Sequence, residues 1–243
     1  MTTSSAAALH ESEQRLVRTV DSLADDQWSQ PSVLPGWTRA HVVAHLALNA
    51  EGMAGALDAL RRGERGAMYE SNEKRDADIE ELAAEPVADI RDRLFAAGER
   101  LREAFAALTD EEWGGSVDRV LGGPQWPVLA MPGARRREVE IHHADIGCGY
   151  RHTDWPRDFC HELLDVLATE QAGNPETATF RVSATDLGRS WSVGADQPVV
   201  SGSGADLAWW LAGRGSGEGL STATGVLPRI GAWRRTPAPT PDT

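Results

Sequence analysis

Two pairs of residues in this sequence have the types and spacing of a metal site. Glu138 and His142 stand four apart in RRREVEIHHADIG, and His41 and His45 stand four apart in TRAHVVAHLALNA. On a helix, residues four apart share one face, a turn from each other. A carboxylate and an imidazole presented this way can hold one divalent ion together. A nitrogen from a facing helix would complete a set of two histidines and one carboxylate with an open fourth position. That set suits catalytic zinc and is shared by iron(II). HVVAH lacks the glutamate of the H-E-x-x-H metalloprotease pattern. A Glu–His pair at this spacing is also ordinary on a solvated helix. The setting distinguishes this one: His45 lies among Val42, Val43, Leu46 and Leu48, and a buried histidine needs a polar partner. Asp145, three residues past His142, and Asn49, four past His45, are placed to orient such ligands or to be plain helix-surface polar residues.

These side chains need helices to hold them. From about residue 4 to residue 148, apolar residues recur at three- and four-residue spacing, the mark of amphipathic helices. Leu9, Leu16, Val20 and Leu23 predict a first helix that ends before Trp28. Thr38 is the expected N-cap of a second, closed by Gly63. Pro86 opens a third, through Ile90, Leu94, Leu101 and Phe105 to Leu108, and Pro132 opens a fourth that runs to about Gly147. Four helices of these lengths bury their apolar stripes most simply as a four-helix bundle. The pattern then changes. A helix is expected over 159–170 and another over 205–212, with TATFRV, RSWSV and PVVSG between them as strands of a small sheet. The expected architecture is an all-helical, metal-binding bundle over 1–152, a small α+β domain over 153–232, and a Pro-rich disordered tail over 233–243.

Composition narrows the function classes. Of 243 residues, 41% are hydrophobic and 25% charged, a globular balance. Lys plus Arg is 24 against 37 Asp plus Glu, for a net charge of −13, so neither nucleic acid nor an anionic membrane is an expected partner. The single lysine, Lys74, follows Glu73 rather than a glycine, which excludes a P-loop. No apolar run approaches the roughly 18–20 residues that span a bilayer. MTTSSAAALHESEQR has no basic segment followed by an apolar one, and Cys148 and Cys160 match no disulfide framework or C-x-x-C spacing. We therefore expect a cytoplasmic monomer. Neither cysteine has the surroundings of a catalytic thiolate, so thiol chemistry would require an external thiol.

GWTRAHVVAHLALNA, MYESNEKRDADI, RRREVEIHHADIG and LAGRGSGEG, in this order, resemble the mycothiol-dependent maleylpyruvate isomerase family of the DinB-like superfamily. The resemblance runs from the first helix to the ATGVLP segment. It implies a DinB-like helical bundle carrying Zn2+, followed by a small α+β domain resembling sterol-carrier proteins. Carried over residue by residue, it places the zinc ligands on His45, Glu138 and His142; His41, not a ligand of the family, is read as a helix-start residue or one that supports the ligands from behind. It also places functional arginines at Arg214 in AGRGSGEG, which would close over the metal site, and at Arg75, in a loop after Met68 and Tyr69; Tyr69 would line the cavity. The implied partners are a small anionic substrate and a low-molecular-weight thiol, mycothiol. The implied reaction converts maleylpyruvate to fumarylpyruvate: a zinc-activated thiol adds to the cis double bond, the resulting single bond rotates, and elimination restores the double bond in the trans form. Arginine suits such a substrate because its fork pairs with carboxylates in a bidentate way.

Two rival readings share these residues. A mycothiol S-transferase would keep His45, Glu138 and His142, conjugate the thiol to an electrophile and stop; it need not keep Arg214. A non-catalytic metal- or ligand-binding protein would need no open ligand position.

Overall fold

The computed structural model describes residues 3–233, with side chains from residue 6 onward. The tail expected over 233–243 lies, apart from Trp233, outside the described residues. The chain divides into two compact units, one ending at Arg151 and the other starting at His152.

The first unit contains helices α1 (Thr3–Ser22), α2 (Arg39–Arg61), α3 (Asn72–Ala83), α4 (Val87–Ala106), α5 (Asp110–Trp113) and α6 (Met131–Asp145), with strands β1 (Ala67–Tyr69), β2 (Ser116–Val120) and β3 (Gln125–Pro127). The four long helices are those the apolar spacing predicts. Helix α2 packs against α4 and α6, and α1 packs against α6. Helix α2 is buried along most of its length, as a central helix must be. Val42, Val43, Ala44, Leu46 and Ala47 are wholly buried, and each of the larger side chains contributes about 1.5–3 kcal/mol by leaving water.

The unit is not all-helical, contrary to the sequence expectation. The three strands form a sheet in the order β1-β2-β3, with Tyr69 opposite Val120 and Val117 opposite Trp126. Strands of three to five residues are too short to show alternation. Their pairing is set by what they pack on. Gly52 of α2 is one determinant, since a Cβ there would come within 2.7 Å of the Met68 carbonyl oxygen. The bare glycine lets β1 lie against α2. Helix α3 was also not foreseen, and Arg75 therefore sits on a helix rather than in a loop. Ser71 caps α3 by accepting from the Lys74 N–H at 3.0 Å. Only Ile79 and Leu82 of α3 are buried, too few to print a periodic stripe on a charged segment.

The second unit contains α7 (Arg157–Ala172), β4 (Phe180–Ala184), β5 (Arg189–Gly202), α8 (Gly204–Leu211) and β6 (Ser221–Thr222). RSWSV and PVVSG are two segments of one long strand. The first meets β4 with Arg189 opposite Ala184 and Val193 opposite Phe180. The second meets it with Val199 opposite Arg181 and Gly202 opposite Ala184. Between them, Gly194 has a φ of 75°, which favours glycine. Phe159, Leu163 and Leu167 of α7 and Leu207 of α8 are buried with Phe180 and Val182 of the sheet, giving this unit its own core. Among the described residues, no helix is long and apolar enough to cross a membrane.

Candidate metal centre

Helices α2 and α6 bring His45, Glu138 and His142 together, and one ligand-type atom from each lies within 4.8 Å of the others. Glu138 Oε2 sits between two imidazoles, 3.0 Å from His45 Nε2 and 3.3 Å from His142 Nε2. The two rings meet edge-on with centroids 4.5 Å apart. Trp37 lies against His45 at 5.8 Å. His45 and Glu138 are buried and His142 nearly so.

The two histidines are supported differently. His142 Nδ1 lies 2.9 Å from Asp145 Oδ2, on a carboxylate with no solvent exposure. The contact is an ion-pair distance rather than an aligned hydrogen bond, and a carboxylate on this side of a metal-binding imidazole favours a proton on Nδ1 and the Nε2 lone pair forward. Burial opposes the charged form of His142, but Asp145 and Glu138 together outweigh it and raise its pKa. For His45, burial pushes the pKa down to about 3; the charge of His142 adds to the effect against the pull of Glu138. On its far side, Arg75 Nη2 donates to His45 Nδ1 at 3.1 Å. A guanidinium is always a donor, so Nδ1 carries the lone pair and Nε2–H donates to Glu138.

The residues fit a zinc-type ion. Ligand atoms around a tetrahedral ion with bonds of about 2.0 Å lie roughly 3.3 Å apart, close to the two distances from Glu138 Oε2. Nitrogen, nitrogen and carboxylate oxygen is a zinc donor set, with Asp145 behind one ligand. An ion on His45 Nε2 would put the proton on Nδ1, so Arg75 would have to give up its contact there.

Around the triad, a buried relay leads outward. Arg135, 1% exposed, donates from Nη1 to Leu46 O and to Asn49 Oδ1, both at 2.9 Å. Asn49 Nδ2 donates to the Tyr69 hydroxyl at 3.4 Å. Asn49 thus supports Arg135 and Tyr69 rather than a ligand. The guanidinium carbons of Arg75 and Arg119 lie 5.8 and 5.6 Å from the Tyr69 ring centroid. Burial and the charge of Glu138 hold the Tyr69 phenol above its ordinary pKa, so it is protonated at neutral pH. Tyr69 and Arg75 line a cleft of about 320 Å³ together with Leu48, Gly52, Ala67 and Asp78. His41 is a helix-start residue: its Nδ1 accepts from the Thr38 N–H at 3.3 Å, and its Nε2 meets Glu80 at 3.2 Å. Arg214, in the second unit, donates from Nη1 to Ala212 O at 2.8 Å and has its guanidinium carbon 5.9 Å from the Trp233 ring centroid.

Spacing alone does not reveal that Arg75 touches His45 or that Arg135 holds Asn49. The family resemblance marked Arg75, and Ser71 as a cap would have put it on the first turn of a helix rather than in a loop.

A helical unit in which a His–Glu–His triad converges, followed by an α+β unit, defines a class of two-domain protein. Residues 9–147 match the mycothiol maleylpyruvate isomerase N-terminal domain, and residues 154–232 match the MDMPI C-terminal domain. The chain belongs to the mycothiol-dependent maleylpyruvate isomerase family. It is similar to a crystal structure of the mycothiol-dependent maleylpyruvate isomerase at 25% identity and a TM-score of 0.87, over 95% of this chain and 96% of that one. A mutant of that isomerase matches at 24% identity and a TM-score of 0.86, over the same shares. No curated protein matches this chain.

Proposed function

We propose that this protein isomerises maleylpyruvate to fumarylpyruvate with mycothiol as the thiol, and that His45, Glu138 and His142 hold a zinc ion for that purpose. The observation that carries this reading is the placement of Glu138 Oε2 between two imidazole nitrogens at 3.0 and 3.3 Å in a chain of this family. Such an ion, when bound, would keep the thiol as thiolate at neutral pH, where a free thiol with a pKa near 8.5 is only a few per cent ionised.

The protein's own residues account for the rest. Asp145 stands beside His142 Nδ1 and favours Nε2 forward, and Trp37 packs against His45. Arg75, at the rim of the cleft, pairs with a substrate carboxylate once it has left His45. In a protein of net charge −13, such local positive charge is what admits an anionic substrate. We assign Arg214 to substrate binding as well. The reaction is redox-neutral. The thiolate sulfur bonds to the double-bonded carbon as the π pair moves onto the conjugated carbonyl. The new single bond turns, and the pair returns as the S–C bond breaks.

The test is zinc per chain in the wild type and in His45→Ala, with maleylpyruvate conversion measured with and without mycothiol. We expect near-stoichiometric zinc, lost in the variant, and isomerisation that requires the thiol. Absence of zinc overturns the ligand assignment. Zinc without isomerisation overturns the isomerase reading in favour of an S-transferase. Arg214→Ala should keep its zinc and lose kcat/KM.

A further inference from the structure

The Tyr69 hydroxyl has one hydrogen bond fixed by the protein and one to give. Arg135 cannot lose its proton in a protein, and it donates to Asn49 Oδ1 at 2.9 Å. That contact fixes which way the Asn49 amide points, so its NH2 end faces Tyr69 at 3.4 Å. The phenol oxygen therefore accepts from Asn49, and its own proton must go elsewhere. Among the described residues, no acceptor takes it. The hydroxyl belongs to a residue that lines the cleft beside Arg75, and Arg75 reaches His45 Nδ1 at 3.1 Å. Tyr69 thus shares its cleft with the arginine that reaches the candidate metal centre.

The charges of the cleft say what it would take. Its carboxylates are already paired: Glu51 accepts from Arg93 at 2.7 and 2.8 Å, and Asp78 pairs with Lys74. Among the described residues, the hydrogen-bond partners of Arg75 are the exposed Asp76, at 2.6 Å, and the neutral His45. Arg75 and Arg119 over the Tyr69 ring add positive potential at the phenol. A guanidinium beside a neutral O–H donor is a pair suited to a carboxylate.

We propose that Tyr69 is a substrate-binding residue, whose hydroxyl donates a hydrogen bond to a carboxylate oxygen of a cis-configured dianion held in the cleft by Arg75. This rests on the isomerase reading above, because it takes the substrate's class from it. Asn49 and Arg135 are positioning residues that set the direction of the hydroxyl proton.

The test is calorimetric binding of maleate to the zinc-loaded protein, wild type against Tyr69→Phe. Phenylalanine keeps the ring beneath both arginines and removes only the hydroxyl. We expect maleate to bind roughly tenfold more weakly, the scale of one hydrogen bond to a charged group. Zinc content should stay unchanged, the melting temperature should fall only by the small amount that the lost Asn49 contact accounts for, and with maleylpyruvate the loss should fall on KM more than on kcat. Equal maleate affinity in the two proteins overturns the proposal and leaves the isomerase reading intact. No maleate binding by the zinc-loaded wild type overturns the substrate reading and the proposal together. A loss of zinc or of melting temperature in Tyr69→Phe, in proportion to the loss of maleate affinity, overturns the proposal by showing a structural role.

Discussion

On helix α6, Glu138 and His142 face α2, while Glu140 and His143, only a few positions away, face α1. Both are buried Glu–His combinations, yet their surroundings differ. Glu140 is saturated by partners that cannot leave. Ser12 and Arg15 of α1 each donate to its Oε1 at 2.5 Å, and the Tyr150 hydroxyl donates to its Oε2. His143 Nε2 meets Thr19 Oγ1 at 2.8 Å, and its ring stacks on Tyr150 with centroids 3.9 Å apart. On the other face, the negative charge of Glu138 is met by two imidazoles, which gain or lose a proton or accept a metal at modest cost. An arginine makes a buried carboxylate structural, whereas a pair of histidines makes it exchangeable.

That contrast predicts opposite outcomes for two similar substitutions. Glu138→Gln should lower zinc affinity by more than the roughly 10–100-fold that loss of an outer partner costs, as read by competition with a chelator. It should leave the metal-free protein's urea midpoint unchanged or slightly raised. Glu140→Ala should do the reverse. It strands Arg15 and Tyr150, and it should cost about 2 kcal/mol of unfolding free energy. This is below the roughly 3–5 kcal/mol of a fully buried pair because Arg15 is a quarter exposed. Zinc stoichiometry should be preserved. Equal effects of the two variants on both readouts would show that the faces do not differ as described.

The α1-facing side also has a pH signature. Burial, with the charge of Arg15 adding to it, pushes His143 down to about 3. The unfolded chain, with an ordinary value near 6.5, binds this proton first. Its contribution to stability is therefore fully present above about pH 6.5 and is lost as the pH falls towards about 3. One proton corresponds to about 1.4 kcal/mol per pH unit within that window. His143→Gln has no titrating ring, so wild type and variant should diverge in slope between pH 6 and 4 when unfolding is followed at each pH. Parallel slopes would mean that His143 titrates normally in the folded protein.

The same α6 shows what could be read from residues alone. The long helices were legible because each prints an apolar stripe over three turns or more, and α2 also carried its Thr38 cap and Gly63 stop. The short strands β1 to β3 were not, since Ala67–Tyr69 has no room for alternation and is held by Gly52 of another element. In the site, spacing alone offered Glu138 with His142 and His41 with His45, the apolar setting favoured His45, and the family resemblance named it as the third ligand. Geometry separates them physically: His45 and His142 point to Glu138, His41 caps its helix, and His143 serves α1. Arg75 and Asn49 were recognised only by position. Their contacts with His45 and with Arg135 depend on how α3 and α6 pack against α2, which no local pattern encodes.

The finest test of the comparison concerns the two histidines themselves. His142 has a carboxylate, Asp145, beside its Nδ1, and His45 has a donor, Arg75, so only at His142 does the neighbour favour the tautomer that an ion on Nε2 requires. Before His45 can bind through Nε2, its hydrogen bond from Arg75 must break and its proton must move to Nδ1. Arg75→Ala removes that competitor and also a positive charge beside an incoming cation. Zinc affinity should therefore rise, by roughly three- to tenfold, the scale of one net hydrogen bond. Turnover of maleylpyruvate should fall in the same variant, because the guanidinium that opposes the metal is the one assigned to the substrate's carboxylate. Such a substitution would separate metal binding from catalysis in opposite directions, which a merely destabilising change cannot do. Unchanged or weaker zinc binding in Arg75→Ala would mean that the contact at 3.1 Å does not oppose the metal, and that the two histidines are equivalent ligands.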